Sequence, residues 1–566
     1  MPGTRDTSVT HMLLQRTSQL PRLALLTLLL ASASLGALTA SAQETYFGKN
    51  KVIYRTFDWR FIQSEHFDVY YYDEQYALAK FTAEALEEDL VVIEEQIDYS
   101  LKSRIPAFIY LSPNDMQTTN ISQGLLPENV NGFTEAFKKR MVVHFNGSYA
   151  DYTHLIHHEL THAVIYDLVF GGSFSSIISR QRFFNLPLWF AEGYAEYSSR
   201  DHWHYRSDMI VRDATINNYL RPPGAMGILA YTEGSMLVRY IADTYGEEKL
   251  GDILRKGKVF LSMGRAVKAS LGIPMEKLWS DYQLSLKQRY WPEIAERKMP
   301  EKVAKQLTKH GRDGSFFNEK PEFSPNGDVI AMFSDRADYT EIFLISAADG
   351  HIVKKVTKAS RSGDLESLHS FFSGITFSPD GDNLCFVAKS NGYDALFFIR
   401  VRDRKNYLKK RVNANGLLSP IWSPDGAKIA FSALLHGQRD LFLFDMERDV
   451  LTPLTDDLHD DRNASWMADS KTLVFASDRP HPDNDEERDV SVDLTGNFLD
   501  ENGEPLRFGA YNLFTLNSES GEVTPLPVGA GNNTEPAVSP DGAKVAFISN
   551  RNGIDNLYLH FFDSTG

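Results

Sequence analysis

A four-residue turn repeats through the second half of this 566-residue chain and constrains its fold more than any other feature. Ser324-Pro325-Asn326-Gly327, Ser378-Pro379-Asp380-Gly381, Ser423-Pro424-Asp425-Gly426 and Ser539-Pro540-Asp541-Gly542 share one pattern, and Met467-Ala468-Asp469-Ser470 is a degraded fifth copy. Proline fixes φ at the second position and glycine accepts positive φ at the fourth, so each copy reads as a tight turn between strands. An apolar strand follows each turn, as in Lys428-Ile429-Ala430-Phe431, and then a second such as Leu441-Phe442-Leu443-Phe444. Segments such as Ile352 to Thr357 and Val450 to Thr455 supply a third, and a strand ahead of each turn a fourth. Four strands in a period of about 44 residues is the arithmetic of a β-propeller blade, and five copies predict about five blades. The last interval is lengthened by an acidic, proline-containing insertion between about Pro480 and Ala510.

The repeat resembles the TolB-like propeller repeat over nearly all of residues 303–566. Its final unit lacks a closing strand, and Val303-Ala304-Lys305-Gln306-Leu307-Thr308 is a spare copy ahead of the first. The expectation is that this segment completes the last blade and closes the ring. A fragment of a longer array is the alternative.

Composition narrows the function classes. With 42% hydrophobic and 24% charged residues the chain is neither disordered nor a multi-span membrane protein. A formal net charge of −16 repels phosphate backbones, so nucleic acid is not an expected partner. Arg16 and Arg22 precede an apolar stretch from Leu23 to Leu38, and Ala40-Ser41-Ala42 then offers the small residues a signal peptidase reads. Residues 1–42 are thus expected to be a signal peptide; the competing reading, a membrane anchor, needs roughly 20 apolar residues. No later segment is apolar enough to span. One cysteine, Cys385, excludes an intrachain disulfide and reads as a buried strand residue, so the chain is expected in a bacterial periplasm or outside the cell.

Residues 43–300 follow another rhythm. Phe67 to Tyr72, Ala107 to Leu111 and Arg140 to Phe145 read as strands, and Gln75 to Asp98 as a helix with apolar Ala79, Leu86, Leu90, Ile93 and Ile97. Asp151 to Phe170 reads as a helix stopped by Gly171-Gly172, Pro187 opens another running to about Ser199, and helical patterns dominate from Glu233 to Tyr290. This is an α+β domain with its sheet early and its helices late, followed by the propeller over 301–566.

The first of those two helices carries His158-Glu159-Leu160-Thr161-His162. Histidines four apart lie one turn apart on one face, so both imidazoles can reach one Zn²⁺ with Glu159 beside its water. Taken alone, the pattern also fits an exposed face with two solvated histidines. The second helix contains Trp189-Phe190-Ala191-Glu192-Gly193-Tyr194-Ala195-Glu196. A catalytic zinc takes three protein ligands and leaves a position for water, and Glu192 supplies the third. Glu196, one turn on, shares that face and is expected to fix a ligand histidine, His158 first of all. His157 points about 100° away from His158 and is not read as a ligand, nor is His154. His202 and His204 flank Trp203 in what reads as a surface loop.

These paired segments resemble the gluzincin metallopeptidases, and most of all their peptidase-MA-like and zinc aminopeptidase branch, where a Trp precedes a Glu-Gly-x-Ala run. The resemblance implies a gluzincin α+β fold, a Zn²⁺ cofactor and peptide-bond hydrolysis. It also implies that Tyr231, in Tyr231-Thr232-Glu233-Gly234, donates to the developing oxyanion, the alternative being a packed core tyrosine. Gly132-Phe133-Thr134-Glu135 occupies the place of a Gly-x-x-Glu segment that reads a free amine through Glu135, but Thr134 and Ala136 replace its usual Met and Asn. The strand Arg140 to Phe145 is either an edge that pairs with an extended peptide or an interior strand. The expected protein is therefore an exported zinc peptidase acting on peptides or proteins, with Glu159 as general base. Its propeller either presents a surface to an envelope partner or limits which peptides reach the cleft. The alternative is a non-catalytic envelope scaffold that retains a peptidase fold.

Overall fold

Alternation of buried and half-buried side chains decides the first layer: in Phe67–Tyr71 the residues Phe67, Val69 and Tyr71 turn inward while Asp68 and Tyr70 do not. The computed structural model describes residues 55–562, apart from 74, 123–125, 137, 172–185, 201, 222–226, 296–297, 338, 360–362 and 485–507. The expected signal peptide and most of the acidic insertion lie outside the described residues.

In chain order the N-terminal part comprises β1 (Arg60–Gln63), β2 (Phe67–Tyr71), α1 (Tyr76–Ile97), β3 (Ile105–Tyr110), the single turn α2 (Pro113–Met116), β4 (Gly132–Thr134) and β5 (Met141–His144). Then come α3 (Tyr149–Phe170), α4 (Leu188–Ser199), α5 (Tyr205–Ile216), α6 (Ile228–Tyr245), α7 (Glu248–Phe260), α8 (Met263–Leu271) and α9 (Met275–Tyr290). The strands form one sheet in the order β1-β2-β3-β5-β4. β2 and β5 run parallel to β3, while β4 is antiparallel to β5 and forms an edge. The strand read over Arg140 to Phe145 is thus interior. The edge is the three-residue β4, too short to announce itself by periodicity. Against the sheet, α1 buries Leu86, Leu90, Ile93 and Ile97, and α3 buries Ile156, Leu160, Ala163 and Val164 in the same core.

The C-terminal part has five blades, at 318–355, 375–411, 416–453, 461–525 and 533–561. The Ser-Pro turns work through their serine: Ser378 Oγ accepts from Asn383 N at 2.9 Å, and Ser423 Oγ accepts from Lys428 N at 2.9 Å and lies 2.6 Å from Asp425 Oδ1. Gly381 and Gly426 take φ of 76° and 77°; in the degraded copy Ser470 holds the left-handed position instead, at 56°. Cys385 is fully buried in the strand Asn383–Ser390, between the second and third blades.

The expected closing strand does not form. Residues 303–308 make no strand; instead Leu307 packs against Ile330, Met332 and Ile345 on the first blade, and Lys305 Nζ donates to Ala348 O at 2.6 Å. Gly350, at φ 78°, makes room for this crossing, since a Cβ there would run into the Leu307 carbonyl. Among the described residues the fifth blade therefore has three strands, and Lys320 on the first blade reaches Glu535 on the fifth at 3.0 Å.

The change of architecture near residue 300 is not a break in packing. Leu434 and Phe508 of the propeller belong to the N-terminal core, and Phe508 lies 5.3 Å from Tyr149, ring centre to ring centre. Contacts fall on the ends of the blades away from the Ser-Pro turns. Asn114 Nδ2 donates to Asp394 Oδ1 at 2.7 Å and Lys389 Nζ to Gln117 Oε1 at 2.8 Å. Between the two parts, buried His369 lies 3.1 Å from Glu128 and 2.7 Å from Asp394.

Burial disfavours the His369 imidazolium, but Asp394 and Glu128 outweigh it and raise its pKa from 6.5 to about 10. A pKa raised by folding contributes stability that is complete below about pH 6.5 and is lost as pH climbs through about 10. Urea denaturation at fixed ionic strength should show wild-type stability falling across that window and His369→Gln falling less; parallel curves would exclude this contribution.

Candidate metal centre

The helix that carries the first histidines is set by its ends. Asn146 Oδ1 accepts from Ser148 N at 3.0 Å, Ser148 Oγ caps Asp151 N at 3.2 Å, and Gly171 stops the helix at φ 63°. Between these ends, His154, His158 and His162 recur every four residues on one face. α4 crosses that face and presents Glu192.

The three ligand atoms converge. His158 Nε2 and His162 Nε2 are 3.1 Å apart, and Glu192 Oε2 lies 3.3 Å from the first and 3.1 Å from the second. At Zn–N and Zn–O bonds of about 2.0–2.1 Å, the edge of a ligand tetrahedron is about 3.3 Å. The residues present therefore fit a zinc ion on one triangular face of donors, with the fourth direction left to water or substrate. Side-chain exposure is 7%, 6% and 14% for His158, His162 and Glu192, so the donors are dry. Although burial opposes charge on each, the close carboxylates push His158 up to about 10 and the imidazoles hold Glu192 down to about 2. A cation at this spot would do the work that a trapped proton otherwise does.

Glu159 points to the sheet side. Thr134 Oγ1 on β4 lies 2.8 Å from Glu159 Oε2, and a Cβ on Gly132 would come 3.1 Å from Glu159 Cγ. Burial raises the Glu159 pKa, with His162, His158 and Thr134 pulling the other way. Glu196 Oε1 is 3.3 Å from His158 Nδ1, as its place on α4 implies, and is also 3.6 Å from His154 Nε2. Tyr231 on α6 is brought to the centre, its ring stacked on His158 at 6.1 Å and 18°. Burial and three nearby carboxylates raise its pKa, which keeps the phenol a neutral donor.

Two glycines make this meeting possible. A Cβ on Gly193 would run into the Gly234 backbone, and one on Gly234 into the Trp189 carbonyl, so α4 and α6 cross with their backbones in contact. That crossing brings the helix carrying Glu192 against the helix carrying Tyr231.

Glu135 stands apart: its Oε2 accepts from Arg140 Nε at 2.5 Å, and it does not join the metal group. His157 ties helices together, 2.8 Å from Asp89 Oδ1 and 2.8 Å from Ser198 Oγ. His202 stacks on Tyr197 at 4.3 Å, and His204 is the residue before α5; neither belongs to the ligand group. Four neighbours of the centre have no role in it on the sequence reading. His154 and Arg200 each stand four residues from a residue already singled out, a signal that was there to be read. Tyr166, stacked on His162 at 5.9 Å, has the same spacing, whereas Thr134 reaches Glu159 from a distant strand with no sequence signal.

A family model described as the TolB beta propeller domain matches residues 375–482, and together with the blades it identifies the C-terminal part as a TolB-like propeller. An uncharacterized peptidase, YuxL of Bacillus subtilis (strain 168), is 26% identical over 146 residues, covering 24% of this chain and 22% of the relative; the chain thus spans about a fifth of that protein. Among solved structures, TolB from Acinetobacter baumannii is 19% identical with a TM-score of 0.32, covering 43% of this chain and 52% of that one. A putative TolB from Agrobacterium tumefaciens is 18% identical with a TM-score of 0.32, covering 44% and 78%.

The glycine contact gives a direct expectation. Gly234→Ala has no room and should cost about 1–3 kcal/mol, with a lower melting temperature. A variant melting with the wild type would show that the helices do not meet as described.

Proposed function

We propose that the protein is an exported zinc metallopeptidase of gluzincin type that hydrolyses peptide bonds in peptides or proteins. The observation that carries this reading is the convergence of His158 Nε2, His162 Nε2 and Glu192 Oε2 within 3.1–3.3 Å of one another, beside a buried glutamate that is not needed as a ligand. Export rests on the leader pattern of residues 1–42, and among the described residues no helix is long and apolar enough to cross a membrane.

His158, His162 and Glu192 would hold the ion, and Glu196 would fix the ring of His158 through Nδ1. When bound, zinc supplies Lewis acidity and a water of lowered pKa. Glu159 accepts a proton from the attacking water at its carboxylate and passes it to the leaving amine. Thr134 holds the Glu159 carboxylate through Oε2. Tyr231 donates its hydroxyl to the oxygen that gains charge as the carbonyl becomes tetrahedral. The strand β4 lies against Glu159 and ends the sheet among the described residues, a position that suits an extended peptide pairing as an added strand. Glu135, committed to Arg140, contributes to amine recognition only if that ion pair opens. The propeller binds a partner or restricts access to the cleft. Because Leu434 and Phe508 sit in the N-terminal core, removing it would also open that core.

Purified wild-type protein should contain about one zinc per chain, and Glu159→Gln should keep that metal while losing peptide hydrolysis by roughly 10²–10⁴-fold. Full activity in this variant would remove the general-base role, and a wild type that binds no zinc would favour the scaffold reading. Tyr231→Phe should lower kcat by roughly 10²-fold with little change in KM; an unchanged kcat would reduce Tyr231 to a packing residue.

A further inference from the structure

A second group of metal-binding atoms lies on the far side of His158. His154 Nε2, His158 Nδ1 and Glu196 Oε1 all lie within 4.8 Å of one another, with the carboxylate oxygen 3.3 Å from the His158 nitrogen and 3.6 Å from that of His154. Two imidazoles and one carboxylate repeat the chemistry of the inner triangle, and imidazole nitrogen favours Zn²⁺, Cu²⁺ and Ni²⁺ over Mg²⁺ or Ca²⁺. Helix spacing produces both groups at once. Residues 154, 158 and 162 succeed one another at one turn on α3, and 192 and 196 do so on the crossing α4. His158 belongs to both groups, through Nε2 on one side and Nδ1 on the other.

The tautomer of His154 leaves a lone pair in the outer group. Its Nδ1 is 3.3 Å from the Ser199 carbonyl, and because a carbonyl only accepts, Nδ1 carries the hydrogen. In the neutral ring Nε2 is then bare and faces Glu196 Oε1, so two acceptors confront each other across 3.6 Å. Such a pair is stabilised by a positive charge between its members, a proton or a metal ion. His158 Nδ1, 3.3 Å from the same oxygen, is buried without a well-aligned hydrogen bond. The group is not sealed: the side chains of His154 and Glu196 keep 15% and 17% exposure, and Glu196 lines a small, partly open cavity with Arg200, His204, Ser207 and Ser235. Arg200 Nε, 3.8 Å from Glu196 Oε2, opposes a cation here, and the 3.6 Å separation exceeds the 3.1–3.3 Å edges of the inner triangle. The outer group is therefore the weaker of the two.

We propose that His154 Nε2, Glu196 Oε1 and His158 Nδ1 form a second cation site, filled by Zn²⁺ only in excess, that inhibits the inner centre. The proposal rests on the zinc reading above, within which His154 supports the inner site and becomes a ligand only for the outer ion. When that ion binds, His158 releases its Nδ1 proton to solvent and the imidazolate spans the two metals. An imidazolate is a stronger donor than an imidazole, which lowers the Lewis acidity available at the inner position.

The test uses the full chain and two readouts independent of turnover: bound Zn²⁺ by equilibrium dialysis, and the electron paramagnetic resonance of the Co²⁺-loaded protein. Free Zn²⁺ raised beyond what fills the inner site should add about one further ion per chain and lower peptide hydrolysis over the same range. Loaded with Co²⁺, the first ion should give an isolated high-spin signal that broadens and loses intensity as the second binds, because one imidazolate couples the two spins. His154→Gln should keep the first ion and bind the second about tenfold more weakly, without the coupling. Near-UV circular dichroism identifies the folded variant. A wild type that takes up a single ion however high the Zn²⁺, leaving only a proton between His154 and Glu196, would overturn the proposal. So would a second ion that His154→Gln holds as tightly as the wild type does, or one that leaves the first Co²⁺ signal unchanged. If His154→Gln does not fold, the wild-type Co²⁺ signal decides alone. A wild type that takes up no ion at all defeats the metal reading itself, which is distinct from a wild type that holds one ion and refuses a second.

Discussion

The carboxylates of Glu159, Glu192 and Glu196 are gathered with the imidazoles of His154, His158 and His162 in a largely buried volume. Such a set is stable only if positive charge is held among the carboxylates, because carboxylates sharing a low-dielectric site repel one another and cannot fall back on water. Cationic partners meet this constraint at Glu192 and Glu196, and a hydroxyl donor supports Glu159. His158 lies between Glu192 and Glu196, Arg200 backs Glu196, and Thr134 binds Glu159 from the sheet. What is left is a triangle of three donor atoms of the size that one small divalent cation fills.

The surrounding fold serves that triangle. His158 and His162 depend on a helix whose N-terminal end rests on the propeller, while Glu192 depends on a helix that can approach α6 only because Gly193 and Gly234 lack side chains. The strand β4, which ends the sheet among the described residues, stands beside Glu159. The parts of the candidate site are thus drawn from the sheet edge, two crossing helices and a third helix, and no single segment carries it.

The legible features were those written in local spacing. The His158–His162 interval and the Glu192–Glu196 interval both follow from one turn of helix, and the Ser-Pro turns announce the blades because proline and glycine dictate φ. Their positions were read nearly to the residue, as α3 and α4 show. The illegible features were long-range. That Phe508 would join the core around Tyr149, that β4 and not the strand beginning near Arg140 would be the edge, and that Leu307 would settle on the first blade are all decided by which surfaces meet after folding. Three-residue strands and orphan segments carry too little periodicity to predict a partner. His154 is different: it lay one turn before His158 and was set aside because a ligand was sought where a supporting group was needed.

The single thiol has a practical consequence. Cys385 is sealed between the second and third blades, and burial raises its pKa well above the ordinary value, so almost no thiolate reaches solvent. Maleimide and methanethiosulfonate reagents will therefore pass it over in the folded protein. A cysteine introduced on the surface becomes the sole reactive sulfur, and fluorophore or spin-label pairs can be placed on helices and blades without first engineering a cysteine-free background.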